Sequence, residues 1–310
     1  MPSCSVIIPV LNSMPFLREA LRSLEKQTSR DFEVLLWDNG STDGSVAEAN
    51  RWIPGKLPGR VITDRPLPLE QCLAALVEES NSDFIARMDG DDICLPERLE
   101  RQLTYLQDNP DVAVLGTQME IIAEDGQTTG RTTSEPTAYP SILATLLFRN
   151  PIAHPTVVVR RDAILSSGNY KRTKPTEDYD LWLSVARQFT IENLPEVLLR
   201  YRRHSGAVCG DLDAQNEQLY AVGSETVSEH SERLFGIRPE VALELRNKSY
   251  QRAVGPLVRA ARNIAARSSV PTTKVLLDPH FIRTARSLTN KQDLVSKATW
   301  RLLSLISGDR

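Results

Sequence analysis

The chain has 310 residues, 41% of them hydrophobic, which is enough for one large domain or for a domain with an appendage. No apolar run approaches the roughly 18 residues that a membrane-spanning helix needs. The net charge of −3 hides an asymmetry, because residues 241–310 carry 13 basic and 4 acidic residues and the remainder carries 24 basic and 36 acidic ones. This pattern indicates either a basic end that contacts an anionic partner or a solvated helical surface.

The location of the protein is predicted from its first residues and its cysteines. The opening stretch MPSCSVIIPV has neither a basic region nor a cleavage site, so it does not resemble a secretory signal. Cys4, Cys72, Cys94 and Cys209 are widely spaced and form no C-x-x-C pair. We interpret them as reduced thiols of a cytoplasmic protein, not as zinc ligands or disulfides.

The first half of the chain alternates short apolar runs with amphipathic stretches. Helices are predicted where apolar residues recur at intervals of three and four, and strands where apolar runs are short and continuous. The predicted strands are 4–10, 31–37, 60–63, 83–88 and 111–122, and the predicted helices are 15–27, 69–79 and 95–109. This order predicts an α/β protein with a mostly parallel sheet and helices on both of its faces.

The second half is less regular. Helices are predicted at 138–150 and 177–189, and strands at the end of 154–161, at 190–194 and at 196–204. From about residue 211 onward almost the whole chain favours helix, with prolines as breaks. We therefore predict an α/β domain at 1–210, in two halves that meet near residue 122, and a helical C-terminal region at 211–310.

Polar clusters follow three of the predicted strands. Asn12 follows the first, residues 38–43 the second, and residues 89–92 a later one. The carboxyl ends of parallel strands share one rim, where ligands bind in open α/β sheets. Three carboxylates within four positions suit a hard divalent cation such as Mg²⁺ or Mn²⁺. The alternative is that Asp91 or Asp92 merely caps the helix that follows.

Five segments in this order resemble the inverting glycosyltransferases of family 2, which have the GT-A (Rossmann-like) fold. They are SVIIPVLN, SLEKQTSRDFEVLLWDNGSTDGS, DFIARMDGDDICLPERLERQLTYL, HPTVVVRRDAI and EDYDLWLSVA. The likeness covers about residues 4–205. It implies transfer of a sugar from a nucleoside diphosphate sugar, commonly a UDP-sugar, to a hydroxyl group, with Mn²⁺ or Mg²⁺ as cofactor.

The resemblance also implies a nucleotide-sugar site in about residues 1–122. Pro9, Asn12 and Asp38 would line the base and ribose, Asp89 would bond the ribose, and Asp91 would bind the metal that bridges the diphosphate. His204 matches the family histidine that completes the metal site. The neighbouring Arg202 and Arg203 suit either a phosphate contact or a solvated edge.

The acceptor side is predicted in about residues 123–210. The family supplies its general base from an E-D motif at a helix start, which matches Glu177-Asp178. Asp178 is then the base, with Glu177 orienting it or the acceptor, although acidic residues also favour a helix N-terminus on their own. His154 is predicted either to touch the donor sugar or the acceptor, or to order the loop between two prolines.

One segment departs from the family pattern. Related members have Asn and Gly where this chain has Ala74 and Leu76, so the loop on the diphosphate side is expected to differ. Two other functions share a similar core: a sugar-1-phosphate nucleotidyltransferase and a non-catalytic nucleotide-sugar-binding protein. The first needs a glycine-rich loop after strand one, which the segment PVLNSMPFL lacks.

The expected partners are a nucleotide-sugar donor and a glycan or lipid-linked acceptor of cell-envelope or extracellular polysaccharide, with no nucleic acid. Residues 291–307 place apolar residues on one side of a predicted helix, flanked by lysine and arginine. That pattern is typical of a helix lying on the cytoplasmic face of an anionic membrane. The same pattern is also typical, and somewhat more commonly, of a helix that packs within the protein or on a second subunit of a homodimer.

Overall fold

The computed structural model describes residues 2–171, 176–206, 212–246, 254–276 and 278–280. Its strands are β1 Cys4–Val10, β2 Phe32–Asp38, β3 Gly59–Ile62, β4 Phe84–Arg87, β5 Ile93–Cys94, β6 Val112–Ile122, β7 Thr128–Thr132, β8 Val158–Arg160 and β9 Thr190–Arg202. Its helices are α1 Leu17–Glu25, α2 Ser45–Trp52, α3 Leu69–Glu79, α4 Arg98–Asp108, α5 Tyr139–Leu146, α6 Arg161–Ser166, α7 Glu177–Val185, α8 Leu212–Phe235, α9 Pro239–Arg246, α10 Val254–Ser268 and α11 Thr272–Leu276. A short 3₁₀ turn occupies His154–Thr156.

The strands form one mixed sheet in the order β3-β2-β1-β4-β8-β6-β9-β5, with β7 paired to β6. The predicted parallel pairing holds from β3 to β4, where β1 pairs in parallel with both β2 and β4. Beyond β4 the observed pairs of β8, β6, β7 and β5 are antiparallel. The carboxyl ends of β1, β2 and β4 therefore lie at the same edge.

The core lies where the apolar periodicity predicted it. In α1, Leu17, Leu21 and Leu24 are fully buried, and they recur at the spacing that places side chains on one helix face. In β1 and β2 nearly every side chain is buried, as expected of strands covered on both faces. The cysteines Cys4, Cys72 and Cys94 are free and buried, and burial raises the pKa of the Cys4 and Cys72 thiols to about 12.

Several elements were missed by the sequence analysis. The short strand β5 has only two residues, and β7 is exposed throughout, so neither has the apolar pattern of a buried strand. The segment from Thr190 to Arg202 forms one strand, whereas two were predicted around Pro195. A proline is compatible with a strand wherever its missing N–H is not needed by the ladder.

The chain divides into two compact units. The first contains residues 1–135, 152–173 and 193–212, and the second contains residues 136–151, 174–192 and 213–310. The second unit therefore draws on segments from both sides of residue 210. None of the helices within the described residues is long and apolar enough to cross a membrane. The predicted tail helix at 291–307 lies outside the described residues.

Candidate active site

In the first unit, the turn after β2 is built around the carboxylate of Asp38. Its Oδ2 atom accepts hydrogen bonds from the backbone N–H groups of Gly40 and Ser41, at 3.0 Å each. Gly40 has a φ of +93°, a conformation that glycine adopts without steric cost. The Asp38 side chain is 6% exposed, and its Oδ1 atom finds no donor in the part of the chain that the structure describes. A buried acceptor oxygen without a hydrogen bond is costly, and a ligand that supplies the donor removes this cost.

Hydrogen bonds of side chains from both loops connect the loop after β1 with the loop after β2. Asn12 Oδ1 accepts a 2.8 Å hydrogen bond from the Thr42 backbone, and the Asn12 backbone donates to Ser41 Oγ at 2.9 Å. Asp43 accepts from the Met14 backbone at 2.8 Å. Val10 lies opposite Asp38 in the strand register, one residue after Pro9. The structure thus brings Pro9, Asn12 and Asp38 to the same edge of the sheet, as predicted for parallel strands.

The acidic turn after β4 forms a compact carboxylate cluster. Asp89, Asp91 and Asp92 each place one carboxylate oxygen within 4.8 Å of the others. Asp92 is fully buried, and its Oδ2 atom has no hydrogen-bond partner among the described residues. Burial raises the pKa of Asp92 well above its usual range, and the Asp89 and Asp91 charges add to the effect. Like charges held this close are stabilised by a cation, and carboxylate oxygens suit Mg²⁺ or Mn²⁺.

A cation of the chain already neutralises part of this cluster. Arg87, which is 5% exposed, forms an ion pair with Asp89. Burial raises the pKa of Asp89, the Arg87 charge opposes that rise, and the Asp91 charge reinforces it. Gly90 leaves room for the loop after β1, since a Cβ atom there would lie 3.0 Å from Ser13 Oγ.

His204 completes the cluster from a distant part of the chain. Its Nε2 atom lies 2.9 Å from Asp91 Oδ2, although 113 residues separate the two. The unpredicted strand β5 explains this proximity, because it follows the acidic turn directly and pairs with β9, which leads to His204. The carboxylates of this cluster and the His204 imidazole together form a set of ligand atoms that fits a divalent metal ion.

Arg202 is the residue of this region that sequence reasoning misplaced. It is 2% exposed, so it does not lie at a solvated edge. Its backbone N–H donates to Asp92 Oδ1 at 2.9 Å, and its Nε donates to the Asp91 carbonyl at 2.8 Å. Its guanidinium pairs with Glu19 and lies over the Phe16 ring, which also contacts the His204 ring. Arg202 therefore stabilises the acidic turn through hydrogen bonds to Asp91 and Asp92.

His154 lies in the 3₁₀ turn of the first unit. The ring is 8% exposed, and its Nε2 atom is 2.8 Å from the Tyr170 hydroxyl. Burial, and then the Arg87 charge, holds the pKa of His154 well below its ordinary value, so the ring is neutral. It therefore offers hydrogen bonds rather than charge.

In the second unit, Glu177 and Asp178 occupy the first turn of α7, as predicted. Both are partly exposed. Asp178 Oδ1 accepts a 2.7 Å hydrogen bond from the Tyr179 backbone, and Asp178 Oδ2 accepts one of 2.9 Å from Asn150 Nδ2. Asn150 was not identified from the sequence, because an asparagine after a helix is more commonly a simple terminator.

Comparison with known proteins identifies the class to which this fold and site belong, which is the glycosyltransferases with a GT-A fold. Residues 5–167, just over half of the chain, match the family model "Glycosyl transferase family 2". The protein belongs to this family.

Among curated relatives, the chain is 35% identical over 195 residues to the amylovoran biosynthesis glycosyltransferase AmsE of Erwinia amylovora, covering 62% of this chain and 72% of that protein. It is 34% identical over 209 residues to the O-antigen biosynthesis glycosyltransferase WbnJ of Escherichia coli, covering 65% of this chain and 80% of the relative.

Solved structures share the fold at low sequence identity. S. aureus TarS 1–349, in complex with UDP-GlcNAc, has a TM-score of 0.58 and 18% identity, over 97% of this chain and 90% of the other. The mannosyltransferase PcManGT from Pyrobaculum calidifontis, in complex with GDP-Man and Mn²⁺, has a TM-score of 0.57 and 14% identity, over 98% and 86%. The predicted family and GT-A fold are thereby confirmed.

Proposed function

We propose that this protein is a metal-dependent inverting glycosyltransferase that takes its sugar from a nucleoside diphosphate sugar, with UDP as the first candidate nucleotide. The observation that carries the proposal lies in the first unit. There a buried acceptor that finds no donor among the described residues, Asp38 Oδ1, shares one sheet edge with a carboxylate cluster that has a histidine beside it. A base edge, a ribose and a diphosphate–metal group require this combination of groups. That solved neighbours hold UDP-GlcNAc, or GDP-Man with Mn²⁺, supports it further.

The donor is bound by residues with separate tasks. Asp38 Oδ1 accepts an N–H from the base, which uracil and guanine both present. Asp89 accepts a hydrogen bond from a ribose hydroxyl, and Asp91 and His204 would hold the divalent ion. When bound, Mn²⁺ or Mg²⁺ neutralises the charge that develops on the departing diphosphate. Arg202 holds Asp91 and Asp92 in place through its hydrogen bonds, so the cluster would be ordered for a divalent ion.

On the acceptor side, Asp178 is the general base and Glu177 assists it. Its carboxylate accepts the proton of the acceptor hydroxyl while the hydroxyl oxygen attacks the anomeric carbon. The bond to the nucleoside diphosphate breaks as the new bond forms, the electron pair leaves with the diphosphate, and attack from the opposite side inverts the anomeric centre. A positioned base contributes about a hundredfold or more to such a proton transfer.

The acceptor is a glycan or lipid-linked glycan of envelope or extracellular polysaccharide. Two relatives are named for amylovoran and O-antigen biosynthesis, which supports this class. A lipid-linked acceptor places the enzyme at the cytoplasmic face of a membrane. The basic, apolar-faced segment 291–307 is the candidate contact, and a homodimer through the same segment is its rival.

The deciding experiment measures nucleotide release with water as acceptor, so that the natural acceptor is not needed. UDP-glucose, UDP-galactose, UDP-N-acetylglucosamine and GDP-mannose are each incubated with the full chain in Mn²⁺, in Mg²⁺ and in EDTA. We expect release from at least one donor, only with metal, and at least about a hundredfold lower turnover for Asp178→Asn with unchanged donor affinity. Release that is equally fast in EDTA would refute the metal role. No release from any of these donors would refute the proposed donor class.

A further inference from the structure

The Asp178 carboxylate does not stand alone on its helix. In the second unit, Asn150 lies after the end of α5, and its Nδ2 atom donates to Asp178 Oδ2 at 2.9 Å. The other oxygen accepts the Tyr179 backbone N–H at 2.7 Å. Each carboxylate oxygen thus receives a hydrogen bond from a donor of the chain.

A buried cation holds the two sides of this contact together. Arg246, in α9, is 3% exposed, and its Nη1 atom donates to the Phe148 carbonyl at 2.5 Å, two residues before Asn150. The same atom lies 3.1 Å from the hydroxyl of Tyr179, the residue that follows Asp178. The Tyr179 hydroxyl in turn donates to the Leu146 carbonyl. The segment that carries Asn150 and the helix that carries Asp178 are therefore fixed to the same side chains.

The hydrogen bond from the Asn150 amide affects both the ionisation and the orientation of the Asp178 carboxylate. An N–H that donates to a carboxylate stabilises the ionised form over the protonated acid, because only the ionised oxygen is a full acceptor. It also fixes the rotation of the carboxylate about its χ2 bond, which is otherwise a broad torsion. The hydrogen bond from Asn150 therefore favours the ionised form of the Asp178 carboxylate and fixes its orientation.

We propose that Asn150 is a positioning residue for the general base: its amide holds Asp178 ionised and oriented for the acceptor hydroxyl. The inference rests on the proposed function, since it assigns Asn150 a role in the same proton transfer. The acceptor proton moves to the Asp178 carboxylate, and the Asn150 amide neither gains nor loses a proton. A helical C-terminal region that supplies Arg246 thereby also supports the catalytic turn.

The test compares Asn150→Leu with the wild-type full chain in Mn²⁺-dependent nucleotide release over pH 4.5 to 8. Leucine keeps the branched shape and removes the donor. We expect kcat to fall about tenfold to a hundredfold, since small misplacements of a reacting group have effects of this size. We expect the KM for the donor to stay within about twofold. The acidic limb of the pH profile should move up by about one unit, because the ionised base loses a charge-assisted hydrogen bond.

Two further variants separate positioning from general damage. Asn150→Asp has the same size, removes the donor and adds a like charge, so its acidic limb should move higher still. Asn263→Leu removes an asparagine Nδ2 bond of 2.8 Å to the Leu234 carbonyl in the same unit, and it should leave the pH profile unchanged. The other charged groups of these segments, Glu177, Asp180 and Arg149, are the same in all the proteins compared.

The outcomes are distinguishable. Absence of nucleotide release by the wild type overturns the proposed function, and the role of Asn150 with it. A wild type that releases nucleotide, with both Asn150 variants showing unaltered kcat and an unaltered acidic limb, overturns the positioning role alone. Equal shifts in the Asn263 control would also overturn it, because the effect would then be general. If Asn150→Leu does not fold, the isosteric Asn150→Asp decides.

Discussion

Substitution of Asp38 by asparagine should separate nucleotide binding from folding. The two Asp38 oxygens have different tasks, since Oδ2 accepts from the Gly40 and Ser41 backbones and Oδ1 has no partner among the described residues. The amide oxygen of asparagine accepts the same two N–H groups, so the turn persists. Its NH₂ group then occupies the position of Oδ1. Because this group is a donor and the N–H of the base is also a donor, the two form no hydrogen bond.

The expected loss follows from the single bond that is removed. A hydrogen bond to a charged acceptor contributes about 1.5–3 kcal/mol, which corresponds to a Kd for UDP roughly 10- to 150-fold weaker. The free energy of unfolding should change by less than about 1 kcal/mol. Both hydrogen bonds of the turn remain, because the amide oxygen of asparagine accepts them in place of Oδ2.

Isothermal titration of UDP in Mn²⁺ measures the first quantity, and thermal denaturation without ligand measures the second. Asp43→Asn is the matched control on the same turn. Asp43 already uses both oxygens, on the Met14 backbone at 2.8 Å and on the Ser45 backbone at 3.0 Å. That control should lower the melting temperature and weaken UDP binding less than Asp38→Asn does. UDP affinity of Asp38→Asn within about twofold of wild type would refute the reasoning.

Three further predictions concern the metal, the fold and the tail. Asp91→Ala should abolish Mn²⁺-dependent UDP binding in titration calorimetry with no change in circular dichroism, and retention of wild-type Mn²⁺ affinity would contradict the metal assignment. Glu48 accepts from Arg18 and Trp52, and the Arg18 bond comes first among the causes that lower its pKa from 4.5 to about 2. Glu48→Gln should therefore lower the free energy of unfolding by about 2 kcal/mol at pH 7, measured by urea unfolding. This difference from the wild type should shrink as the pH falls from about 4.5 toward 2, because the wild-type carboxylate then protonates. A difference that does not change with pH would contradict the prediction. A chain ending at Asn290 should lose co-sedimentation with anionic vesicles at low salt; equal binding by both chains would exclude the tail as the contact, and loss of a dimer would favour its rival.

The apolar periodicity was sufficient for much of the first unit. Leu17, Leu21 and Leu24 repeat at helical spacing, and β1 and β2 are continuous apolar runs, so their elements follow from local pattern alone. The position of Asp38 at the sheet edge followed as well, because a parallel β-α-β order places strand ends together. Where the local pattern is weak, as in the exposed β7 or the two-residue β5, the elements were missed.

By itself, the sequence determined the α/β class, the family and the acidic turns, because each depends on residues close together in the chain. Only the tertiary structure decided which distant residues meet. Pairing of β5 with β9 brings His204 to Asp91 across 113 residues and buries Arg202 behind the acidic turn. The contact of Asn150 with Asp178 likewise depends on how α5, α7 and α9 pack. Such contacts depend on packing and long-range strand pairing, which local apolar periodicity does not encode.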